Sequence, residues 1–297
     1  MTTMKKNNLR AYAFLSPFLI LVTIFYMAPA LITIVMSFTK MGNSFEWKFI
    51  GIKNYLRLFK DRNMVLVMWN TIKYVIICIS SVLCIDLFFA ILLHYFIKND
   101  KISSFFKSIL MIPMITPSVV YSVLWIWLLD ASPNGILNQL LAKLFDAPAQ
   151  NFIADHPFTI VICATLLTSF AYGTIIFSSA IKSIPETQIK AARVDGANDW
   201  SIIFEIILPN LRYHIGFIAL WESLGLLTNY ITILLITNGG PGLKTETWAL
   251  AAYHKAFVDT QYGFGAAISV FLIVVVLLLM LIVLTLTRKK ERSAANV

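Results

Sequence analysis

Long apolar runs separated by short polar stretches set the character of this chain. Six of them, over residues 11–38, 65–97, 104–129, 158–181, 215–236 and 266–287, are long enough to cross a bilayer. A hydrocarbon core of about 30 Å takes about 20 apolar residues in helical form. Lipid offers no water to backbone groups, so each run is read as a helix that satisfies its own bonds. The pattern predicts an all-α membrane protein of about six transmembrane helices. Pro17 and Pro29 fall inside the first run and predict kinks there. That run is too long for a secretory signal and lacks a small-residue cleavage site, so it is read as a retained helix. Three regions follow: an N-terminal tail, first helix and outer segment (1–64), a five-helix core (65–287) and a basic tail (288–297). One polar stretch, 184–209, lies between two apolar runs and has the pattern of a helix–turn–helix.

Composition sharpens this picture. The 297 residues are 59% hydrophobic and only 13% charged, with a mean hydropathy of +0.78, which excludes an ordinary soluble domain. The formal net charge of +9 would suit nucleic acid, but the basic residues cluster beside apolar runs, the pattern of membrane topology. The expected surroundings are a lipid bilayer, with no nucleic-acid partner. Lys5, Lys6 and Arg10, then Lys98, Lys101 and Lys107, then Lys182, Lys190, Arg193 and Arg212, and finally Arg288, Lys289, Lys290 and Arg292 fall on one side. The later loops of the other side hold only Lys143, Lys244 and Lys255. Both termini are therefore expected in the cytoplasm, together with 184–209. One loop dissents: Lys40, Lys48, Lys53, Arg57, Lys60 and Arg62 follow the first run. Apolar and basic residues alternate at helical spacing over 49–59, which predicts an amphipathic helix on the outer membrane surface.

Little in the sequence suggests chemistry. Cys78, Cys84 and Cys163 all lie in apolar runs, with no disulfide framework and no CxxC spacing. His94, His156, His214 and His254 are scattered, without metal-ligand spacing or a nucleophile beside them. No catalytic residue, cofactor or metal is expected.

The polar stretch has its own local logic. Pro185 suits a first helical position, where a missing N–H costs nothing, and Glu186 sets negative charge at the positive helix end. The helix is expected to run to about Val194 and to stop at Asp195-Gly196, because glycine accepts the left-handed conformation. A second helix is expected from about Asn198 to just before Pro209. Ala191 and Ala192 give the first helix a small patch suited to close approach. Taken alone, these residues fit either a partner contact or a solvated connector.

The order Lys190-Ala191-Ala192, Asp195-Gly196, then Ile206, Leu208 and Pro209 resembles the Glu-Ala-Ala…Gly…Ile-x-Leu-Pro signature of the permeases of binding-protein-dependent ABC importers. One departure is clear: the leading position, Glu in that family, is Lys190 here. Further likenesses point to the carbohydrate branch. Leu15-Ser16-Pro17 with Pro29 and Ser37-Phe38 is similar to the first helix of sugar permeases. The segment from Phe49 to Tyr55 is similar to their outer amphipathic stretch, and Asn70-Thr71 to the start of their core. Thr237-Asn238-Gly239-Gly240-Pro241-Gly242, followed by Thr245-Glu246-Thr247, is similar to the last external loop of the maltose-type permease.

This resemblance implies a type I importer permease fold with a cytoplasmic coupling helix pair. It implies four kinds of neighbour: a second homologous permease, a dimer of ABC ATPases, an extracytoplasmic solute-binding protein and the bilayer of the cytoplasmic membrane. The role implied for Lys190, Ala191, Ala192, Asp195, Gly196, Ile206, Leu208 and Pro209 is ATPase coupling. The solute would be a sugar, or alternatively a glycerol phosphate. A secondary transporter, the competing class, would show inverted repeats with broken midplane helices, and no internal repeat is found.

Two regions carry their own alternatives. Gly239-Gly240-Pro241-Gly242-Leu243-Lys244-Thr245 ends like a phosphate-cradling loop, but Leu243 stands where that loop needs glycine directly before its lysine. It is read as a Gly-Pro turn, which leaves ATP hydrolysis to partner subunits. In the fifth run Trp221, Glu222, Ser223, Thr228 and Asn229 crowd one stretch, with Trp221 and Thr228, and Glu222 and Asn229, seven apart on one helix face. They line either a solute path or a polar helix–helix contact. Asp86, deep in the second run, is expected to find a partner in another subunit, whereas Lys73 near the outer end snorkels. Trp125 and Trp127 fit an interfacial belt.

Overall fold

The computed structural model describes residues 2–294, with side chains from 12 to 281. The terminal basic residues Lys5, Lys6, Arg10, Arg288, Lys289, Lys290 and Arg292 lie outside the described side chains. Helices dominate: α1 Tyr12–Ser37, α2 Lys53–Lys60, α3 Arg62–Phe96, α4 Asp100–Ile115, α5 Ser118–Leu128, α6 Ile136–Phe145, α7 Pro157–Lys182, α8 Glu186–Val194, α9 Asp199–Thr228, α10 Ile231–Ile236, α11 Trp248–Tyr253 and α12 Tyr262–Leu281. Among the described residues α1, α3, α7, α9 and α12 are each long and apolar enough to span a membrane, and the bent pair α4–α5 makes six if it counts as one.

Three of the expected elements differ from those observed. The third run is not one helix: α4 and α5 meet at 93°, because Pro117 cannot donate a backbone bond and holds Thr116 extended (φ −72°, ψ 127°). The second helix of the polar stretch does not stop before Pro209. It continues as α9 to Thr228, through a π turn at Ile203–Ile207 in which Leu208 N–H reaches Ile203 O. The π turn shifts the bonding register, so the bond that Pro209 cannot make falls where the ladder is already interrupted. The same device occurs in α1, where a π turn at Thr23–Met27 precedes Pro29. The outer amphipathic helix begins at Lys53 rather than Phe49, which instead forms an isolated antiparallel bridge with Thr39.

The chain divides into two compact units, residues 1–62 with 251–273 and residues 63–250 with 274–297. In the first, Asn54 Nδ2 donates to Ser37 O (2.9 Å) and Thr39 O (2.8 Å), fixing α2 to the end of α1. In the second, the main apolar cluster joins Ala90 and Tyr95 of α3, Phe177, Ala180 and Ile181 of α7, and Ile202, Ile203, Ile207, Leu211 and Ile218 of α9. Asp86 needs no second subunit. It is fully buried inside this unit, and its Oδ1 accepts from Thr174 N–H and Thr174 Oγ1, both at 2.9 Å. Gly173 makes that approach possible, since a Cβ there would collide with Asp86 Oδ2.

Gly173→Ala should therefore overpack the α3–α7 seam by about 1–3 kcal/mol and lower the melting temperature of the detergent-purified protein. Gly216→Ala, with nothing within 4 Å of its Cβ, should leave it unchanged or slightly raised.

Candidate functional site

The polar stretch folds as a hook. Pro185 stands just before α8, as its N-cap (φ −58°, ψ 126°), rather than at the first helical position. At the other end Asp195 caps the helix, Gly196 turns left-handed (φ +86°), and Ala197 N–H returns to Ala192 O (2.9 Å). This is a Schellman ending, and only glycine takes its φ without strain. Asn198 Oδ1 then accepts from Ser201 N–H (2.8 Å), capping the start of α9. Both ends of the turn are thus closed by residues adjacent in sequence.

A third set of bonds fixes the hook to α3. Asp199 Oδ1 accepts from Tyr95 OH and from Arg193 Nη2, both at 2.7 Å, and Arg193 Nη2 also donates to Tyr95 OH (3.0 Å). Tyr95 is buried among the apolar cluster. The sequence reading counted Arg193 only as a topology charge and passed over Tyr95 and Asp199. They are 104 residues apart, so no local signal joins them.

The hook has two sides. Ile189, Ala192, Ala197, Ile206 and Leu208 pack inward on the cluster. Lys190, Ala191, Asp195, Gly196 and Pro209 are exposed, so the small patch expected from Ala191 and Ala192 is divided between solvent and core. Lys190 Nζ pairs with Glu186 Oε2 at 2.6 Å one turn away. That hydrogen bond holds the Glu186 carboxyl below its usual range. Solvent also meets three large apolar side chains: Val194 at 87% exposure, Trp200 at 69% and Phe204 at 61%. Trp200 and Phe204 stack with centroids 6.1 Å apart. Ile202 and Ile203 stand between them in sequence and are buried, so the sequence alone does not separate the exposed pair from the core pair.

The loop over residues 237–246 is closely held. Gly239 is buried and left-handed (φ +79°), and a Cβ there would collide with Glu246 Oε2. Gly240 O accepts from Thr245 Oγ1 (3.0 Å), which also pairs with Thr237 Oγ1 (2.8 Å). Pro241 and Gly242 form the exposed tip. Asn70 and Thr71 meet this loop from α3: Asn70 Nδ2 donates to Leu243 O (2.7 Å), and Thr71 Oγ1 accepts from Trp248 N–H (2.8 Å). Two motifs read separately in the sequence form one contact.

The expected face of α9 is only partly made. Asn229 is not helical: it caps α9 in an extended conformation (φ −72°, ψ 113°). Ser223 Oγ and Thr228 Oγ1 close on their own helix at Ala219 O (2.6 Å) and Leu224 O (2.9 Å). Trp221 is exposed, its ring 5.9 Å from that of Tyr172. Of these residues Trp221 stands exposed beside Tyr172, while Glu222 and Asn229 are half-buried.

Comparison with known proteins identifies the family and the fold. The family described as binding-protein-dependent transport system inner membrane component matches residues 86–292. A probable ABC transporter permease protein of Pyrococcus horikoshii is 31% identical over 265 residues, 87% of this chain and 89% of that protein. The sn-glycerol-3-phosphate transport system permease protein UgpA of Escherichia coli is 30% identical over 266 residues, 88% of each. In fold, the chain is similar to a bacterial ABC transporter involved in the import of the acidic polysaccharide alginate. The TM-score is 0.85 over 97% of this chain and 99% of that one, at 20% identity. The same kind of transporter, solved with an alginate pentasaccharide-bound periplasmic protein, gives 0.84 over 97% of each chain at 19% identity.

Asn70→Ala removes two bonds to the 237–246 loop, each contributing about 0.5–1.5 kcal/mol. Amide hydrogen exchange should quicken over 239–248 in this variant, while exchange over α8 stays as in the parent.

Proposed function

The chain belongs to the binding-protein-dependent transport system inner membrane component family, and from that premise we propose a full assignment for it. It is the multi-pass permease of an ATP-driven importer in the cytoplasmic membrane, with both termini in the cytoplasm. It pairs with a second homologous permease. Two ABC ATPases dock on the α8–α9 hook, and an extracytoplasmic solute-binding protein delivers the solute at the opposite end.

The observation that carries this reading is the hook itself. Val194, Trp200 and Phe204 present an apolar tip to water, which a helix end in a monomer has no reason to do unless a partner covers it. The hook is also a lever. It is held to α3 through Tyr95 and is continuous with the 30 residues of α9. At 1.5 Å per residue that helix reaches about 45 Å, from the hook to the break at Asn229. When the ATPases close on ATP, displacement of the hook is passed as rigid-body motion to the solute path.

Lys190 changes the electrostatics of the dock without removing it. Its ammonium is paired with Glu186, so the ATPase meets a nearly neutral pair with the acid one turn upstream of the family's usual position. The proposed solute is a sugar. Tyr172 and Trp221 offer aromatic faces to the C–H faces of a ring, and Glu222 and Asn229 offer partners for its hydroxyls. A glycerol phosphate is the second reading, favoured by the likeness to UgpA.

The assembled importer should co-purify with its ATPase. Gly196→Pro forces φ near −65° where the hook needs +86°, and should abolish uptake and solute-stimulated ATPase activity. Normal uptake by that variant at normal membrane abundance would refute the coupling role. Trp221→Ala and Asn229→Ala should each weaken or respecify uptake across a panel of sugars and glycerol phosphates. Unchanged KM and ranking in both would remove the solute assignment while leaving the coupling assignment standing.

A further inference from the structure

The permease reading leaves the basic outer loop without a role. Lys40, Lys48, Lys53, Arg57, Lys60 and Arg62 lie between the first two spans, on the side where such residues are normally scarce. We propose that α2 and the cleft beside it hold the headgroup of an anionic phospholipid from the outer leaflet. This rests on the permease reading and on the cytoplasmic position of the termini.

Placement is the first argument. Only Asp61 separates α2 from the start of α3, an apolar span. The far side of α2 is tied to the end of α1 by Asn54, and by Tyr55 OH to Ser37 Oγ at 2.7 Å. Phe59 meets Phe271 edge-on, with centroids 5.2 Å apart. Phe271 lies nine residues into α12, about 13 Å along the helix axis. That end of α2 is therefore packed against the apolar run of α12.

Amphipathic character is the second. Asn54 and Leu58 face inward and are buried, whereas Ile52, Leu56 and Phe59 form an exposed apolar stripe. Lys53, Arg57 and Lys60, also exposed, recur at i, i+4 and i+7 and so share one face. Apolar and cationic stripes side by side on one short helix match the two halves of a lipid.

The third is a cleft of about 330 Å³ lined by Thr39, Lys40, Asn54, Arg57, Gln261 and Phe264. Arg57 Nη1 donates to Gln261 Oε1 (2.8 Å), and its guanidinium lies 4.0 Å from the centroid of the Phe264 ring. The planar fork is thereby held still, and it has further N–H donors for phosphate oxygens. Lys40 adds a second cation at the same cleft. An acidic face of the solute-binding protein would match the charge alone. It would leave Ile52, Leu56 and Phe59 bare whenever that protein departs, whereas lipid covers them throughout.

The test uses the ATPase-bound importer in nanodiscs of phosphatidylcholine with phosphatidylglycerol, with retained lipids counted by native mass spectrometry. K53Q/R57Q/K60Q should lose phosphatidylglycerol retention on the order of tenfold or more, with phosphatidylcholine retention unchanged. K53Q/K60Q leaves Arg57 on Phe264 and should show a smaller loss in the same direction, should the triple variant fold poorly. Inorganic phosphate should not displace the retained lipid. Equal retention in parent and both variants, with the ATPase still bound, overturns the proposal alone and not the permease reading. Unchanged retention with weaker affinity for the solute-binding protein would reassign these charges to that contact.

Discussion

Inside lipid a broken backbone hydrogen bond cannot be handed to water, and the interruptions in this chain follow from that constraint. Pro29 and Pro209 are each preceded by a π turn that absorbs the missing donor. Where Pro117 allows no such adjustment, the helix breaks and turns through 93°. At Asn229 the helix also ends within an apolar stretch. The apolar spans set the membrane position, and these local repairs decide where each span can bend.

Much of the architecture was legible because it depends on local chemistry. The end of α8 at Val194 follows from Asp195-Gly196, and the start of α9 from Asn198, since caps and left-handed turns involve neighbours in sequence. The six-span pattern was legible because runs of about 20 apolar residues admit few other readings. The breaks at Thr116 and Asn229 were lost, since hydropathy summed over a run averages across one or two residues. Asp86 was misassigned to another subunit because its partner, Thr174, lies 88 residues away. Close approach of that kind depends on which glycine faces which carboxyl.

The candidate site divides along the same line. Lys190, Gly196 and the Ile-x-Leu-Pro stretch could be picked out by motif, but the side each residue faces could not. Ala191 and Ala192 are adjacent and face opposite ways, and Pro209 lies within a continuous helix rather than beyond its end. The exposed pair Trp200 and Phe204 became visible only when the turn had a direction in space. On α9, Ser223 and Thr228 carry polar groups of the expected kind, yet their hydroxyls are taken up by their own helix.

The contact among Tyr95, Arg193 and Asp199 bears on how such a complex is put together. One carboxylate oxygen receives both donors, and the tyrosine is buried in the same cluster that packs α3, α7 and α9. The angle of the hook is therefore set when the polypeptide itself folds. On the proposed docking, an ATPase arriving afterwards would meet a finished shape and give up little conformational entropy to order it. Recognition between the two proteins would then be a question of fit, decided before either has seen nucleotide.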